Sequence, residues 1–442
     1  AGPRRPVVRV RTRAQARRVQ AARPGVRAVY PLQRWMISGV SRRAAAPLRR
    51  TLARTGVDLV STGGRQQRPP VTLEPGSSLT VLLAGGDVVV GAIGTVTYVD
   101  GSTVLGFGHP FLDTGPSRFL MGDGYVYETV PAPIQNASYK LGEPGTLHGM
   151  VTGDRADGVV GRIGPVDGIR VVSTARDTRR GTTATVTTLL APDERTVPEV
   201  ADVLQAEPAF RVRDGIGGGT LSLVITVRTP LRAKPIVYRN TYAAAGDVVN
   251  LSLGPLTRMV TVLLQNGVRP VPIREIRVRQ VLEPRVRAAR IVGASFAPVR
   301  ARPGARITLR LALQPWRGSR TVVRVPLRMP DLPPGPLRVR VVPSDAQGFD
   351  PSPPQLSDEL QGETTAARAR RVLRGLEPEL AASPGSRVRR VVDGLERAGR
   401  DRHDAVRLLL PGEEEGDRDA GLTVAVPWVV YGGRAAPLLV VR

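Results

Sequence analysis

The chain has 442 residues and a mass of 47.3 kDa, more than one ordinary domain at ~100–200 residues each, and 41% of it is hydrophobic but only 4% aromatic, so its cores are aliphatic. Gly (48) and Pro (40) make up about a fifth of the chain, which implies many turns and short strands and excludes a long-helix or coiled-coil protein. The net charge of +26 points toward an anionic partner, while the lack of cysteine excludes disulfide scaffolds, thiolate zinc sites and cysteine nucleophiles.

The charge begins at the N-terminus. Residues 1–57 hold fifteen arginines and no acidic residue, which reads as a solvated arm or as an electrostatic contact with a polyanion such as nucleic acid or a wall polymer. Elsewhere the basic residues are nearly all arginine, a skew that a GC-rich genome alone would give; only Lys140 and Lys234 are lysine. Arginines alternating with aliphatics, as in Arg277-Val278-Arg279 and Arg338-Val339-Arg340, belong on the solvent face of strands. No apolar run approaches the ~18–20 residues that span a bilayer. The opening AGPRRPVVRV is no signal peptide and starts with Ala, as a processed or truncated chain would.

In chain order, Ser38-Gly39-Val40-Ser41 precedes an expected N-capped helix over RRAAAPLRRTLART that stops at Gly56. Short strands follow at 71–74, 78–84, 87–98 and 103–107, with an Asp100-Gly101 hairpin turn, and continue through residues 120–190. A helix is predicted from Val197 to about Ala206, then strands at 209–213 and 220–228 joined by the loop DGIGGG, a helix opened by Gly254-Pro255, and a strand at 273–282. That glycine loop lies between two predicted strands, so it reads as a flexible turn and not as a phosphate cradle. Alternating strands separated by Pro-Gly turns suggest a sandwich-like module at 286–345; residues 344–363 read as a linker, 364–407 as helical, Glu413–Glu415 as a loop, and two strands close the chain. The fold class is mainly β with a few helices (α+β). The divisions are a basic arm at 1–35, a principal domain at 36–285, the module at 286–345, and a linker, helical segment and closing strands at 346–442.

Three histidines (His109, His148, His403) are too scattered for a metal cluster, and no metal or other cofactor is expected. His148 and His403 read as surface residues, the latter in a helical turn. The singular segment is GTVTYVDGSTVLGFGHPFLDTGP, residues 94–116. Gly106 and Gly108 allow close backbone approach, and Pro110 fixes the exit from the turn. A histidine at 109 is either a structural hydrogen bonder or the general base of a serine hydrolase, provided a hydroxyl and an orienting carboxylate converge on it. No Gly-x-Ser-x-Gly, Ser-x-x-Lys or P-loop motif is present; Ser102 and Ser117 read as turn formers, and Ser138, in NASYK, is not expected to serve as a nucleophile either.

That segment, followed by PGTLHGMVTGDRADGVVGRIG (144–164), resembles the sporulation stage IV B (SpoIVB) peptidase family, whose pattern joins a Gly-Thr-φ-Thr-Tyr-φ-Asp strand, a Gly-His-Pro turn and a later Gly-x-φ-x-x-Asp/Asn-Arg block. PLQRWMISGVSRRA (31–44), LEPGSSLTVLLAGGDV (73–88), LGPLTRMVTVLLQN and IREIRVRQ are similar to large actinobacterial relatives. The resemblance implies a chymotrypsin-like or related β-barrel, location at the cell envelope outside the cytoplasm, a protein or peptide partner there, and His109 as the catalytic base. It also implies a Ser nucleophile in a Gly-Met-Ser-Gly-Ser-Pro motif, which this sequence lacks; Asp113 and Asp154 lie near the matched blocks without a role carried over. The expected function is a SpoIVB serine peptidase-like envelope protein that is catalytically incomplete, as an inactive scaffold or as a piece of an active enzyme. The alternatives are an envelope protein with structural or binding duties, and polyanion binding through the basic arm.

Overall fold

The computed structural model describes residues 7–9, 18–19, 21–29, 33–55, 57–62, 69–132, 137–213, 215–329, 331–332, 334–344, 348–351, 402–409 and 422–441. Much of the basic arm, most of the expected linker and C-terminal helix, and Glu413–Glu415 lie outside the described residues. What is described is mostly β, arranged in several sheets.

Strands β1 (Val7–Arg9) and β2 (Arg27–Val29) pair in parallel. Next, β3 (Gln33–Ser38), helix α1 (Arg42–Thr55) and β4 (Val57–Ser61) form a β-α-β unit with its two strands parallel. Ser41 caps α1 through its Oγ, which accepts from Ala44 N at 3.3 Å.

Six strands follow: β5 (Ser78–Gly86), β6 (Val89–Asp100), β7 (Thr103–Gly106), β8 (Gly115–Ala132), β9 (Ala137–Arg155) and β10 (Gly158–Ile163). Their antiparallel pairings run β5–β6–β7–β10–β9–β8 and return to β5, so the ring closes and has no free edge. Leu79, Val81, Val96, Val104, Phe119, Met121, Val151 and Val159 are buried on these strands. The expected strand at 71–74 does not form; Val71 N instead donates to Asp123 at 2.6 Å, which takes it out of any ladder.

Beyond the ring, the last residues of β5 pair with β12 (Thr183–Leu190) and carry the sheet onward. It continues through β11 (Ile169–Asp177) to β15 (Glu275–Glu283), β13 (Gly219–Arg228) and β14 (Ile236–Ala244). Helices α2 (Val197–Val212), α3 (Val248–Leu251) and α4 (Pro255–Leu264) cover this part, and one apolar core runs from Trp35 to Leu282. The helix predicted to end near Ala206 runs on through 209–212, where a strand was expected. Twelve of its sixteen residues are buried, so it shows no polar face that would distinguish its last turn from a buried strand. The DGIGGG loop accordingly connects a helix to a strand and not two strands.

The remaining strands form two facing sheets. One contains β16 (Ala288–Ala297), β18 (Arg306–Pro315), β19 (Thr321–Arg328) and β24 (Val429–Tyr431); the other contains β17 (Arg300–Ala301), β20 (Gly335–Pro343), β22 (Ala405–Leu409), β23 (Leu422–Ala425) and β25 (Arg434–Val440). Leu309, Leu311, Leu313, Val339, Val341, Val406 and Leu438 fill the space between them. The sandwich therefore draws on both 286–345 and the C-terminal strands. Residues 405–407, expected to be helical, belong to β22, whose five residues are all buried. A two-residue strand, β21 (Phe349–Asp350), joins the barrel sheet by pairing with β14. Among the described residues no helix is long and apolar enough to cross a membrane.

Candidate functional site

The Gly-His-Pro segment forms the turn between β7 and β8, and its backbone is forced. Phe107 and Gly108 adopt φ of 73° and 69°, and Asp113 at the far side of the turn adopts 56°. Positive φ suits Gly108 but is costly for the other two, so the surrounding contacts must hold them there. Gly106 is required for a different reason: a Cβ there would come within 2.3 Å of Leu79 Cδ2 and 2.9 Å of Thr95 O.

Two contacts hold the turn. The first is aromatic: Phe111 is buried, stacks on Trp35 at 4.3 Å between centroids and meets Phe119 edge-on at 5.4 Å. The second is Asp154 on β9, fully buried, whose carboxylate accepts from Phe111 N and Leu112 N at 2.7 Å each, from Thr114 N at 3.3 Å and from Thr114 Oγ1 at 3.1 Å. Arg195 then ties the turn's exit down by donating to Thr114 O at 2.7 Å and Pro116 O at 3.0 Å. Its hydrogen bond to Asp193 raises the guanidinium's already high pKa, so it stays charged.

On this clamped turn His109 is exposed, with Phe107 5.7 Å away as a tilted ring neighbour. Its Nδ1 lies 2.9 Å from Pro110 O. A carbonyl oxygen only accepts, so the neutral ring carries its proton on Nδ1 and leaves Nε2 as a free acceptor facing solvent. That is the tautomer a general base needs, oriented here by a carbonyl and not by a carboxylate. Among the described residues no serine hydroxyl bonds to the ring.

The other sequence candidates separate clearly. Ser117 is buried and its Oγ is engaged with Thr114 Oγ1 and Gly115 O, both at 2.9 Å. Ser102 is exposed in the hairpin turn, Asp113 is exposed, and the side chain of Ser138 lies outside the described residues. The two blocks quoted for the family resemblance do meet. Asp154 from the second clamps the turn of the first, and a Cβ on Gly158 would come within 2.6 Å of Gly106 O.

Sequence reasoning missed an imidazole–carboxylate pair away from this turn. His148 is half-buried and its Nε2 lies 3.1 Å from Oδ2 of buried Asp123, which also accepts from Val71 N and Thr146 N at 2.6 Å. Nothing in the spacing of Asp123 and His148 signals this, because a cross-strand pairing with bulges brings them together. The DGIGGG loop is also explained. It folds over Arg213, whose guanidinium donates to Gly218 O and whose burial lowers its pKa. No group of three or more histidine, aspartate or glutamate side chains among the described residues could hold a metal ion.

Neither a family model, a curated protein nor a solved structure matches the chain.

Proposed function

We propose that the chain is a SpoIVB-type, serine peptidase-like protein that works on protein or peptide partners at the cell envelope, with its general-base turn intact and its nucleophile missing from the described residues. The observation that carries this reading is the clamped turn itself: a strained backbone held by Asp154 and the Trp35–Phe111 stack, presenting His109 with Nε2 free. A closed six-stranded antiparallel ring beneath it is the kind of scaffold a chymotrypsin-like peptidase uses, which supports the reading further. In such a site Nε2 takes the proton of an attacking hydroxyl, and without that hydroxyl the remaining groups bind peptide but cleave it negligibly.

The test is labelling with a fluorophosphonate that reacts with activated serines. The full chain should remain unlabelled and should not hydrolyse casein. Covalent labelling of one serine that His109→Ala abolishes would overturn the incomplete reading.

A further inference from the structure

We propose that the outer face of the four-stranded sheet, around Arg306, Arg310, Arg324 and Arg328, is a binding strip for a linear phosphate polymer. In the β18–β19 register Arg306 stands directly opposite Arg328, and Arg310 directly opposite Arg324. All four are exposed, on the face that alternates with the buried Ile307, Leu309 and Leu311. Like charges directly opposed across an antiparallel pair destabilise it, so two such pairs in succession need an explanation.

The strands of this sheet supply no neutralising partner. The strands of this sheet, AARIVGASFA, RITLRLALQP, TVVRVPLR and VVY, contain no acidic residue. The arginine-rich strand of the barrel sheet behaves differently. There Glu275 gathers Arg170, Arg277 and Arg228 at 3.0, 2.9 and 3.5 Å. Protecting a sheet edge explains arginines on β19, which is an edge strand, but not those on β18, which is paired on both sides.

The strip's shape selects the occupant. Each opposed pair sets its two Cβ atoms about 5 Å apart, near enough for both long side chains to reach one phosphate. The two pairs are four residues apart, about 13 Å along the strand, and the cationic surface is two strands wide. A chain of phosphates lies along such a strip and engages both pairs. Thr308, Ala312, Val322 and Pro326 share the outward face and offer no aromatic platform, so bases would gain nothing by stacking. Pro326 also removes a backbone donor from the free edge, which disfavours addition of a peptide strand.

The experiment measures binding of the full chain to fluorescently labelled long-chain inorganic polyphosphate across a salt series. The Arg310→Gln/Arg324→Gln double variant should bind on the order of tenfold more weakly, with a salt slope shallower by about 1.4. It should melt no lower than the parent, because it relieves an opposed pair. An Arg277→Gln/Arg279→Gln variant removes the same charge from β15 and should bind nearly as well as the parent. Equal losses in the two variants would mean that only net charge matters, and no loss in either would place binding elsewhere; both overturn the strip. Tighter association with anionic phospholipid vesicles than with polyphosphate, lost in the Arg310/Arg324 variant, overturns the occupant.

Discussion

Asp154 is buried, and its carboxylate accepts from four donors, three backbone N–H groups and a threonine hydroxyl, all from residues 111–114. Removing the carboxylate leaves the backbone N–H groups of Phe111, Leu112 and Thr114 without this acceptor, at ~1–3 kcal/mol for each that is buried and unsatisfied. Asp154→Ala should therefore destabilise the barrel by about 3 kcal/mol or more, measured by urea denaturation, and release the positive-φ backbone at Phe107 and Asp113. His109→Ala is the control: an exposed side chain bonded only to its neighbour's carbonyl should change stability by less than ~0.5 kcal/mol. A small effect of Asp154→Ala would mean that the aromatic stack alone holds the turn. At this scale the sequence revealed the glycines and the histidine, because their types are unusual at a strand end. It did not reveal Asp154's role, since that depends on backbone groups about forty residues away in the chain.

Along single elements, alternation of apolar and polar residues translated directly into β11, β12, β13 and β15, because each has one face on the core and one toward solvent. It misled only over the last turn of α2, because the helix predicted from Val197 runs on past Ala206 and is mostly buried there too. On the outer side of β15, Glu275 accepts from Arg277 and Arg170, and the hydrogen bond from Arg277 is the main reason its pKa is lowered. A carboxylate with a lowered native pKa contributes stability that is fully present above its unfolded value, about 4.3, and lost as pH falls through the native value. Arg277→Gln removes the leading cause and lets that pKa rise toward normal. Thermal melting between pH 7 and pH 2 should then show a smaller loss of stability below about pH 4.3 than the parent shows. Identical acid limbs would assign the shift to Arg170 instead.

At the scale of the whole molecule, neither the closure of the barrel nor the joint between its extended sheet and the sandwich is written in local pattern, since both depend on strands far apart in sequence. His403 shows this best. It was expected on the surface of a helical turn, yet it is buried just ahead of β22 and pinned to β14 by two hydrogen bonds: its N donates to Asn240 Oδ1 at 2.8 Å, and its Nδ1 lies 2.9 Å from Thr241 O. The ring meets Tyr242 edge-on at 4.6 Å and leaves no room for a side chain on Gly348. On the sandwich side, His403 O accepts from Val430 N, so one residue is bonded to both bodies. His403→Ala deletes the ring's packing and leaves the Thr241 carbonyl without this partner, a loss of about 2–3 kcal/mol located at the joint and not inside either core. Calorimetry should then resolve separate barrel and sandwich transitions, and limited proteolysis should release the sandwich sooner than in the parent. A single transition with an unchanged midpoint would mean that the neighbouring Phe349–Tyr431 stack, at 5.0 Å, couples the two bodies without help from the histidine.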